Sequence, residues 1–447
     1  MTDPTLAFDT LLTGATLLTA APDRPEIRDG SIGISAGRIA WLDEGRPAAR
    51  AARTIDLAGH VITPGFVNVH AHSILTMVRG VAADSGFAPS YTPGIPKGTD
   101  VTPAQARALA RLGALEALLF GSTVLGDNFV QADVATEGMA ELGMRLFPSW
   151  RIHDIDFAEV SRGRVVFSPG IGKRTLGAAL DLYERWKNHP RVTVTLAAHA
   201  ADTCSDAFLR EIAGVAARHG LIVNTHLAQS TVEVERVRQR TGKSSVEVLE
   251  DAGLLNERLL GGHCIYLTAS DMQRMAKAGA HAVHIPKCNA ASGRMAPTPA
   301  IKDAGINIAL ATDTQHGDMV ELMRWALATA RLQTGTVDES WQPHHVFHMA
   351  TMGGAQALGL AHEIGSLEVG KRADLVVFDM RRPHLTPRPY PLGNLVHTGQ
   401  GRDVSMVMVD GEVLVEDGRP TRVDMELVCR EAEQAARALW RDAGRPY

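Results

Sequence analysis

The 447-residue sequence contains little of what marks several other protein classes. It has only four cysteines, scattered at positions 204, 264, 288 and 429, and no CxxC pair. A disulfide framework and a cysteine-based structural zinc site are therefore not expected. No apolar run approaches the about 20 residues of a membrane-spanning helix, so no membrane segment is predicted. The net charge of −5 gives no sign of the basic surface that nucleic-acid binding requires.

The amino-terminal residues also lack the basic segment of a secretory signal peptide. Together with thiols expected to stay reduced, this predicts a cytoplasmic protein. The length exceeds one ordinary domain but suits a barrel of 250–300 residues with a smaller partner domain.

The chain contains two kinds of sequence pattern, one after the other. Residues 8–63 contain short runs of alternating apolar and polar residues between Gly and Asp turns, which is typical of a half-exposed antiparallel sheet. After Gly65, apolar runs alternate with helical patterns, which indicates βα units and a parallel sheet. Counted from Phe66, eight strands are predicted, at residues 66–69, 122–127, 145–150, 192–199, 221–226, 258–263, 280–285 and 306–313.

Eight such units predict an α/β fold with a (β/α)8 TIM-like barrel. The β-rich stretch after residue 365 contains Asp410-Gly411, a hairpin signal, and we expect it to join the amino-terminal strands in one small β-sandwich domain. The predicted division is 1–63 and 365–423 for the β domain, 64–364 for the (β/α)8 barrel, and 424–447 for a final helix.

Histidine or aspartate side chains stand at the carboxyl ends of five predicted strands. Side chains alternate along a strand, so the two histidines of a His-Ala-His segment point the same way and could bind one divalent metal ion. The carboxyl ends of barrel strands meet at one rim, where active sites lie. The sequence therefore predicts a metal site among the residues His70, His72, His199, His226, His263 and Asp313.

These motifs resemble the amidohydrolase superfamily, in the branch of the methylthioadenosine/S-adenosylhomocysteine deaminases, guanine deaminases and triazine chlorohydrolases. The resemblance covers nearly the whole chain. It rests on the segments at residues 64–72, 198–205, 225–229, 262–264, 284–289, 311–313 and 365–376. These motifs are very specific for the superfamily and much less so for the substrate.

The resemblance implies a ligand set and roles. His70, His72, His226 and Asp313 would hold one divalent ion, most simply Zn²⁺, although Fe²⁺, Mn²⁺ or Co²⁺ suit the same donors. The ion would bring the pKa of a bound water toward about 7. His263 would hydrogen-bond that water, Asp313 would transfer its proton to the leaving group, and His199 would contact the substrate. The fourth strand ends without a lysine, which argues against a carbamylated-lysine site with two metals.

Two departures from the family bear on the substrate. Gln229 stands where the family's deaminases have the glutamate that protonates a ring nitrogen, and residues 86–97 replace the usual Trp-Leu segment. Gln229 cannot supply a proton, so we expect hydrolysis of a non-peptide C–N bond of amide, urea or carbamate type in a small aryl or heteroaromatic molecule. The alternative is a deaminase or dechlorinase of a purine, pterin or s-triazine ring.

A rival from another class is a barrel without activity, kept as a binding or assembly module. Every ligand implied by the resemblance is present, which argues against it. We expect a small-molecule substrate, no nucleic-acid or membrane partner, and a homodimer or higher homo-oligomer.

Overall fold

The chain forms two sheets in a computed structural model that describes residues 7–81, 84, 94–314 and 316–445. In chain order the strands are β1 (Ala7–Leu18), β2 (Glu26–Ser35), β3 (Arg38–Glu44), β4 (Arg50–Asp56), β5 (His60–Pro64), β6 (Phe66–Ala71), β7 (Ser122–Phe129), β8 (Arg145–Ile152), β9 (Leu196–Ala200), β10 (Val223–Leu227), β11 (Leu259–His263), β12 (His281–His284), β13 (Ile308–Leu310), β14 (Leu375–Asp379), β15 (Val404–Val409), β16 (Glu412–Glu416) and β17 (Arg419–Pro420).

Helices connect and cover these strands. They are α1 (Pro103–Leu119), α2 (Ala132–Ala140), α3 (Phe157–Val160), α4 (Pro169–Trp186), α5 (Asp206–His219), α6 (Thr231–Thr241), α7 (Ser245–Asp251), α8 (Ala269–Ala278), α9 (Pro286–Ala291), α10 (Thr298–Asp303), α11 (Met319–Thr334), α12 (Pro343–Ala350), α13 (Met352–Ala357), α14 (Pro391–His397) and α15 (Met425–Asp442). Within the described ranges, no helix is both long and apolar enough to cross a membrane.

The strands β6 to β13 lie side by side in chain order and are all parallel. A parallel bridge between Ala71 and Asp313 joins the last strand to the first, so the sheet closes into a barrel. The predicted (β/α)8 barrel and its eight strands are thereby confirmed. The closing bridge lies at the carboxyl ends of the strands, which brings the first and eighth predicted motifs together.

The second sheet is mixed and combines both ends of the chain. Strand β5 pairs with β14, and the order β17-β16-β15-β14-β5-β1-β2-β3, with β4 on β1, continues across the two segments. Asp410 and Gly411 have φ of 50° and 74°, the left-handed pair that a tight hairpin turn requires. The prediction of a small β domain built from both chain ends is confirmed, while its bounds at residues 64, 365 and 424 stay predictions.

Local structure departs from the sequence pattern in two places. The apolar, helix-like segment after residue 343 forms two helices, α12 and α13, which are separated at Thr351 with φ −125° and ψ −91°. Ser230 and Glu233 have the spacing of a capping box, which is only half formed. Ser230 accepts the Glu233 N–H, but the Glu233 carboxylate binds Ala228 and Gln229 instead of Ser230. Of the unusual loop at residues 86–97, positions 86–93 lie outside the described residues.

A buried ion cluster ties the barrel to the mixed sheet. Arg145, at the start of β8, donates to Asp374 at 3.1 Å and to Asp410 at 2.9 Å. The side chains are 7%, 1% and 19% exposed, respectively. Asp374 also accepts the backbone N–H of Asp410 at 2.8 Å. Because the charges are removed from water, each depends on its partners for compensation.

We therefore expect Asp374→Ala to lower the free energy of unfolding by about 3–5 kcal/mol, because it leaves the buried Arg145 without its main partner. Urea unfolding followed by circular dichroism measures the effect. The control is Asp43→Ala, in an ion pair with Arg24 whose side chains are 54% and 47% exposed, which should cost less than about 1 kcal/mol. Equal losses for both variants would contradict the role of the cluster.

Candidate metal centre

The predicted site residues meet at the carboxyl-terminal rim of the barrel. His70 and His72 belong to the end of β6, and His199, His226 and His263 to β9, β10 and β11, while Asp313 follows β13. The barrel closure fixes two of these segments directly: His72 donates its backbone N–H to the Asp313 carbonyl at 2.8 Å, and Asp313 donates its own to the His70 carbonyl at 3.1 Å.

Nitrogen and oxygen ligand atoms converge at the centre of this rim. The ring nitrogens that His70, His72 and His226 offer all lie within 4.8 Å of one another, and the same holds for ligand atoms of His70, His263 and Asp313. Oδ1 of Asp313 lies 3.2 Å from Nε2 of His72 and 3.8 Å from Nε2 of His70. All these side chains are buried, and Nε2 of His70 has no hydrogen-bond partner in the part of the chain that the structure describes.

The outer nitrogens of two rings determine what faces the centre. His72 donates from Nδ1 to the Asn128 carbonyl at 2.6 Å, and His226 from Nδ1 to the His199 carbonyl at 2.8 Å. A neutral ring that is protonated at Nδ1 has its lone pair on Nε2. The two Nε2 atoms are 3.3 Å apart, so lone pairs face each other beside a carboxylate. A cation between them would remove this repulsion, and the donor set therefore fits a divalent metal ion.

Burial keeps the imidazoles of this cluster neutral. Loss of hydration lowers the pKa of His70, His72, His199 and His226 well below the ordinary value, and that of His263 less strongly. The guanidinium of Arg151 lowers the pKa of the first four further by charge repulsion. Neutral imidazole is the form that binds a metal, so the site is ready for an ion at neutral pH.

The ring of His263 is oriented by Asn289, which follows the seventh barrel strand. Its Nδ1 lies 2.9 Å from Oδ1 of Asn289, which accepts a hydrogen bond from it. The neutral ring then has its lone pair on Nε2. His263 and Asp313 both have left-handed backbone, with φ of 69° and 63°. Such φ values are unfavourable for residues with a Cβ and accumulate at functional sites.

His199 and Gln229, the predicted substrate contacts, lie at the same rim. His199 is only partly buried; its Nδ1 is 2.9 Å from the Thr203 hydroxyl, and its ring centroid lies 5.1 Å from that of His226. Gln229 follows β10 and is partly exposed. The described residues give its side-chain amide no hydrogen-bond partner.

Several residues that support the site do not stand out in the sequence. Asn289 and Arg151 were not singled out; Arg151 ends the third barrel strand, and its guanidinium lies 4.2 Å from the centroid of the Phe129 ring. The strand-end rule that identified the histidines would also have pointed to Arg151. Asp127 and Asn128 were weighed as substrate contacts. In the structure Asp127 accepts the Ser73 N–H at 2.6 Å, while Asn128 supports His72.

His316 and Cys288 lie beside Asp313. A small cavity is lined by His316, Asp313, His72 and Glu116, and both ring nitrogens of His316 are buried without a hydrogen-bond partner among the described residues. Burial lowers the pKa of His316 to about 3. Cys288 is half-buried, with Sγ 3.9 Å from the Thr314 hydroxyl, whereas Cys264 is fully buried as expected of a packing residue.

Comparison with known proteins places this site in a family. The model of the amidohydrolase family matches residues 61–414. A 5-methylthioadenosine/S-adenosylhomocysteine deaminase of Syntrophobacter fumaroxidans is 32% identical, with 96% of this chain and 98% of the relative covered. The chain therefore belongs to the amidohydrolase family. It is a hydrolase that acts on carbon–nitrogen bonds other than peptide bonds.

Solved structures share the fold. An adenosine deaminase from Xanthomonas campestris with bound zinc has a TM-score of 0.86 at 24% identity, covering 98% of this chain and 99% of that one. An atrazine chlorohydrolase from Arthrobacter aurescens, complexed with zinc, has a TM-score of 0.85 at 22% identity, covering 96% and 100%. At this identity the likeness shows the barrel architecture alone.

The neutral histidine cluster predicts acid sensitivity of the metal-free protein. The unfolded chain binds protons below the ordinary histidine pKa of 6.5, whereas the folded chain does not. The stability is thus complete above pH 6.5 and is lost as the pH falls, by up to about 1.4 kcal/mol per pH unit for each histidine. Urea unfolding of chelator-treated protein between pH 7.5 and 5.5 measures the slope.

The matched comparison is His226→Ala, which removes one of the buried neutral rings and should make that slope shallower. A metal-free protein whose stability did not change between pH 7.5 and 5.5 would contradict a cluster of buried neutral rings.

Proposed function

We propose that His70, His72, His226 and Asp313 hold one divalent metal ion. The observation that supports this set is the convergence of buried Nε2 atoms and a carboxylate oxygen, with Nε2 of His70 unpartnered among the residues described. Imidazole and carboxylate donors suit Zn²⁺ well, and Fe²⁺, Mn²⁺ and Co²⁺ also bind such sets. When bound, the ion supplies a Lewis acid that lowers the pKa of a coordinated water molecule.

His263 and Asp313 are the proposed catalytic groups. The Asp313 carboxylate has a second oxygen with which to take a proton from the attacking water and give it to the leaving nitrogen. His263, oriented by Asn289, accepts a hydrogen bond from that water through Nε2. Its fixed orientation means that little reorganisation is needed during the reaction.

His199 and Gln229 are the proposed substrate contacts, and Gln229 decides the kind of bond. Its amide can donate a hydrogen bond to a carbonyl oxygen or accept one from an N–H, but it has no acidic proton. An amide, urea or carbamate carbon is already electrophilic and needs no protonated ring nitrogen. We therefore favour hydrolysis of a C–N bond of that type in a small aryl or heteroaromatic molecule.

The neighbouring Glu233 does not replace the missing acid. Its carboxylate is 1% exposed and accepts three hydrogen bonds, from the backbone N–H groups of Ala228 and Gln229 at 2.9 and 2.8 Å and from the Ser245 hydroxyl at 2.8 Å. Both carboxylate oxygens are engaged by these donors, so the role of the side chain is to hold the loop that carries Gln229. This supports the carbonyl assignment.

The second candidate is a deaminase or dechlorinase of a purine, pterin or s-triazine ring. It is favoured by the relatives, whose names are those of a methylthioadenosine/S-adenosylhomocysteine deaminase and an atrazine chlorohydrolase. A screen of aryl ureas, anilides, triazines and oxidised purines with metal-loaded protein separates the two. Turnover of the rings alone would overturn our first choice.

We further propose a cytoplasmic homodimer or higher homo-oligomer. Four free cysteines, including the exposed Cys429, suit a reducing compartment. The exposed apolar side chains Trp325 and Leu332, seven residues apart on α11, supply a surface that a second copy could cover.

The ligand set predicts that His226→Ala purifies with less than about one-tenth of the wild-type metal content and without hydrolase activity, because one of four ligands is lost. Elemental analysis of the purified protein measures this. His362→Ala, which removes an exposed histidine, is the control and should retain metal. Full metal content in His226→Ala would show that the ligand set is wrong.

The role of Gln229 is tested by Gln229→Glu, which restores the carboxyl group of the deaminases. If the substrate is a carbonyl compound, its hydrolysis should fall at least about tenfold with no gain of ring deamination, because the new negative charge faces a bond that needs no acid. Steady-state kinetics on both substrate types measure this. Gln239→Glu, the same change on the exposed side of α6, is the control. A gain of ring deamination would favour the second candidate.

A further inference from the structure

A closed loop follows the third barrel strand and rises beside the substrate side of the rim. Residues 154–168 leave and return at one place, because Ile155 and Phe167 form an antiparallel bridge. Asp156 donates its backbone N–H to the Val166 carbonyl at 2.8 Å, and Ser168 donates to the Asp154 carbonyl at 2.7 Å. We call this segment, residues 154–168, the 154–168 loop.

The base of the 154–168 loop is bound to the same turn that orients His199. The Thr203 carbonyl accepts the backbone N–H groups of Asp154 and Ile155 at 3.4 and 3.2 Å, and the Asp154 carboxylate accepts the Ser205 N–H at 2.8 Å. The hydroxyl of Thr203 is also the partner of His199 Nδ1. The position of the loop relative to His199 is therefore fixed by hydrogen bonds.

The 154–168 loop places one aromatic ring against His199. Phe157 opens the short helix α3, and its ring centroid lies 5.8 Å from that of His199 with an interplanar angle of 77°. On another side, His153 contacts the same ring at 4.7 Å and 61°. Phe157 remains partly exposed, and the loop also exposes Val165 and Val166. Phe157 thus places an apolar ring beside the partly exposed His199.

We propose that Phe157 is a specificity-determining residue that recognises the aryl or heteroaryl group of the substrate. The ring of His199 contacts both the ring of His226 and the ring of Phe157. The His199 ring therefore links Phe157 to the proposed metal ligand His226. A substrate whose scissile bond lies at the centre would present its remote part to Phe157. Aromatic rings prefer the offset or edge-to-face contacts that a flat ring could make there.

This proposal rests on the proposed function in two respects: a metal ion marks the position of the scissile bond, and the substrate carries an aryl or heteroaryl group. It does not depend on which C–N bond is cleaved. The role of Phe157 can therefore be tested by measuring the affinity of a ligand that coordinates the metal ion through a group unrelated to the substrate.

The test compares two hydroxamates of matched reach, phenylacetohydroxamate and cyclohexylacetohydroxamate, by calorimetric titration of zinc-loaded protein. We expect the phenyl compound to bind about three- to tenfold more tightly, the range that an aromatic pair adds beyond its buried area. In Phe157→Leu, which keeps an apolar side chain, the preference should fall to less than twofold. Circular dichroism and zinc content of the variant establish that fold and metal site are retained.

Val165→Ser changes the exposed tip of the same loop and should leave the preference intact. Equal affinity of the wild type for the two hydroxamates would overturn the proposal, as would a preference that survives in Phe157→Leu. Failure of the proposed carbonyl substrate class would give a different result. The preference for the phenyl hydroxamate would persist, while the protein would turn over only ring substrates.

Discussion

Closure of the barrel between its first and eighth strands is the constraint on which the site depends. His70 and His72 are separated from Asp313 by more than half of the chain, yet two backbone hydrogen bonds at 2.8 and 3.1 Å join them. The bonds place the Asp313 carboxylate 3.2 Å from Nε2 of His72. A barrel that closed one residue out of register would turn the histidines away from the centre, because side chains alternate along a strand.

Hydrogen bonds around the rim then determine the chemistry of the rings. The backbone carbonyls of Asn128 and His199 accept hydrogen bonds from the outer nitrogens of His72 and His226, and the side-chain oxygen of Asn289 accepts one from His263. Because the outer nitrogens donate, the inner ones present lone pairs, and burial keeps the rings uncharged. The left-handed backbone of His263 and Asp313 is tolerated because the surrounding strands hold it.

The individual features of this protein lie on the substrate side. Gln229 lies beside the residues proposed to bind the metal ion. Its loop is held by the buried Glu233, and burial raises the pKa of that carboxyl group to about 7. Ala228 within that loop is left-handed, with φ of 47°. The hydrogen bonds that Ala228 and Gln229 donate to Glu233 therefore fix an otherwise unfavourable turn beside His226. The 154–168 loop, held by Thr203, contacts His199 through the ring of Phe157.

The sequence by itself determined the eight βα units, the joining of the chain ends in one sheet, and the strand ends at which His70, His72, His199, His226, His263 and Asp313 stand. It could do so because each of these residues ends a short apolar run, which is a local pattern. The tertiary structure alone decided the partners: Asn289 on His263, Arg151 among the histidines and Phe157 on His199. These contacts join loops from different strands, and no pattern along one segment records how two loops fold against each other.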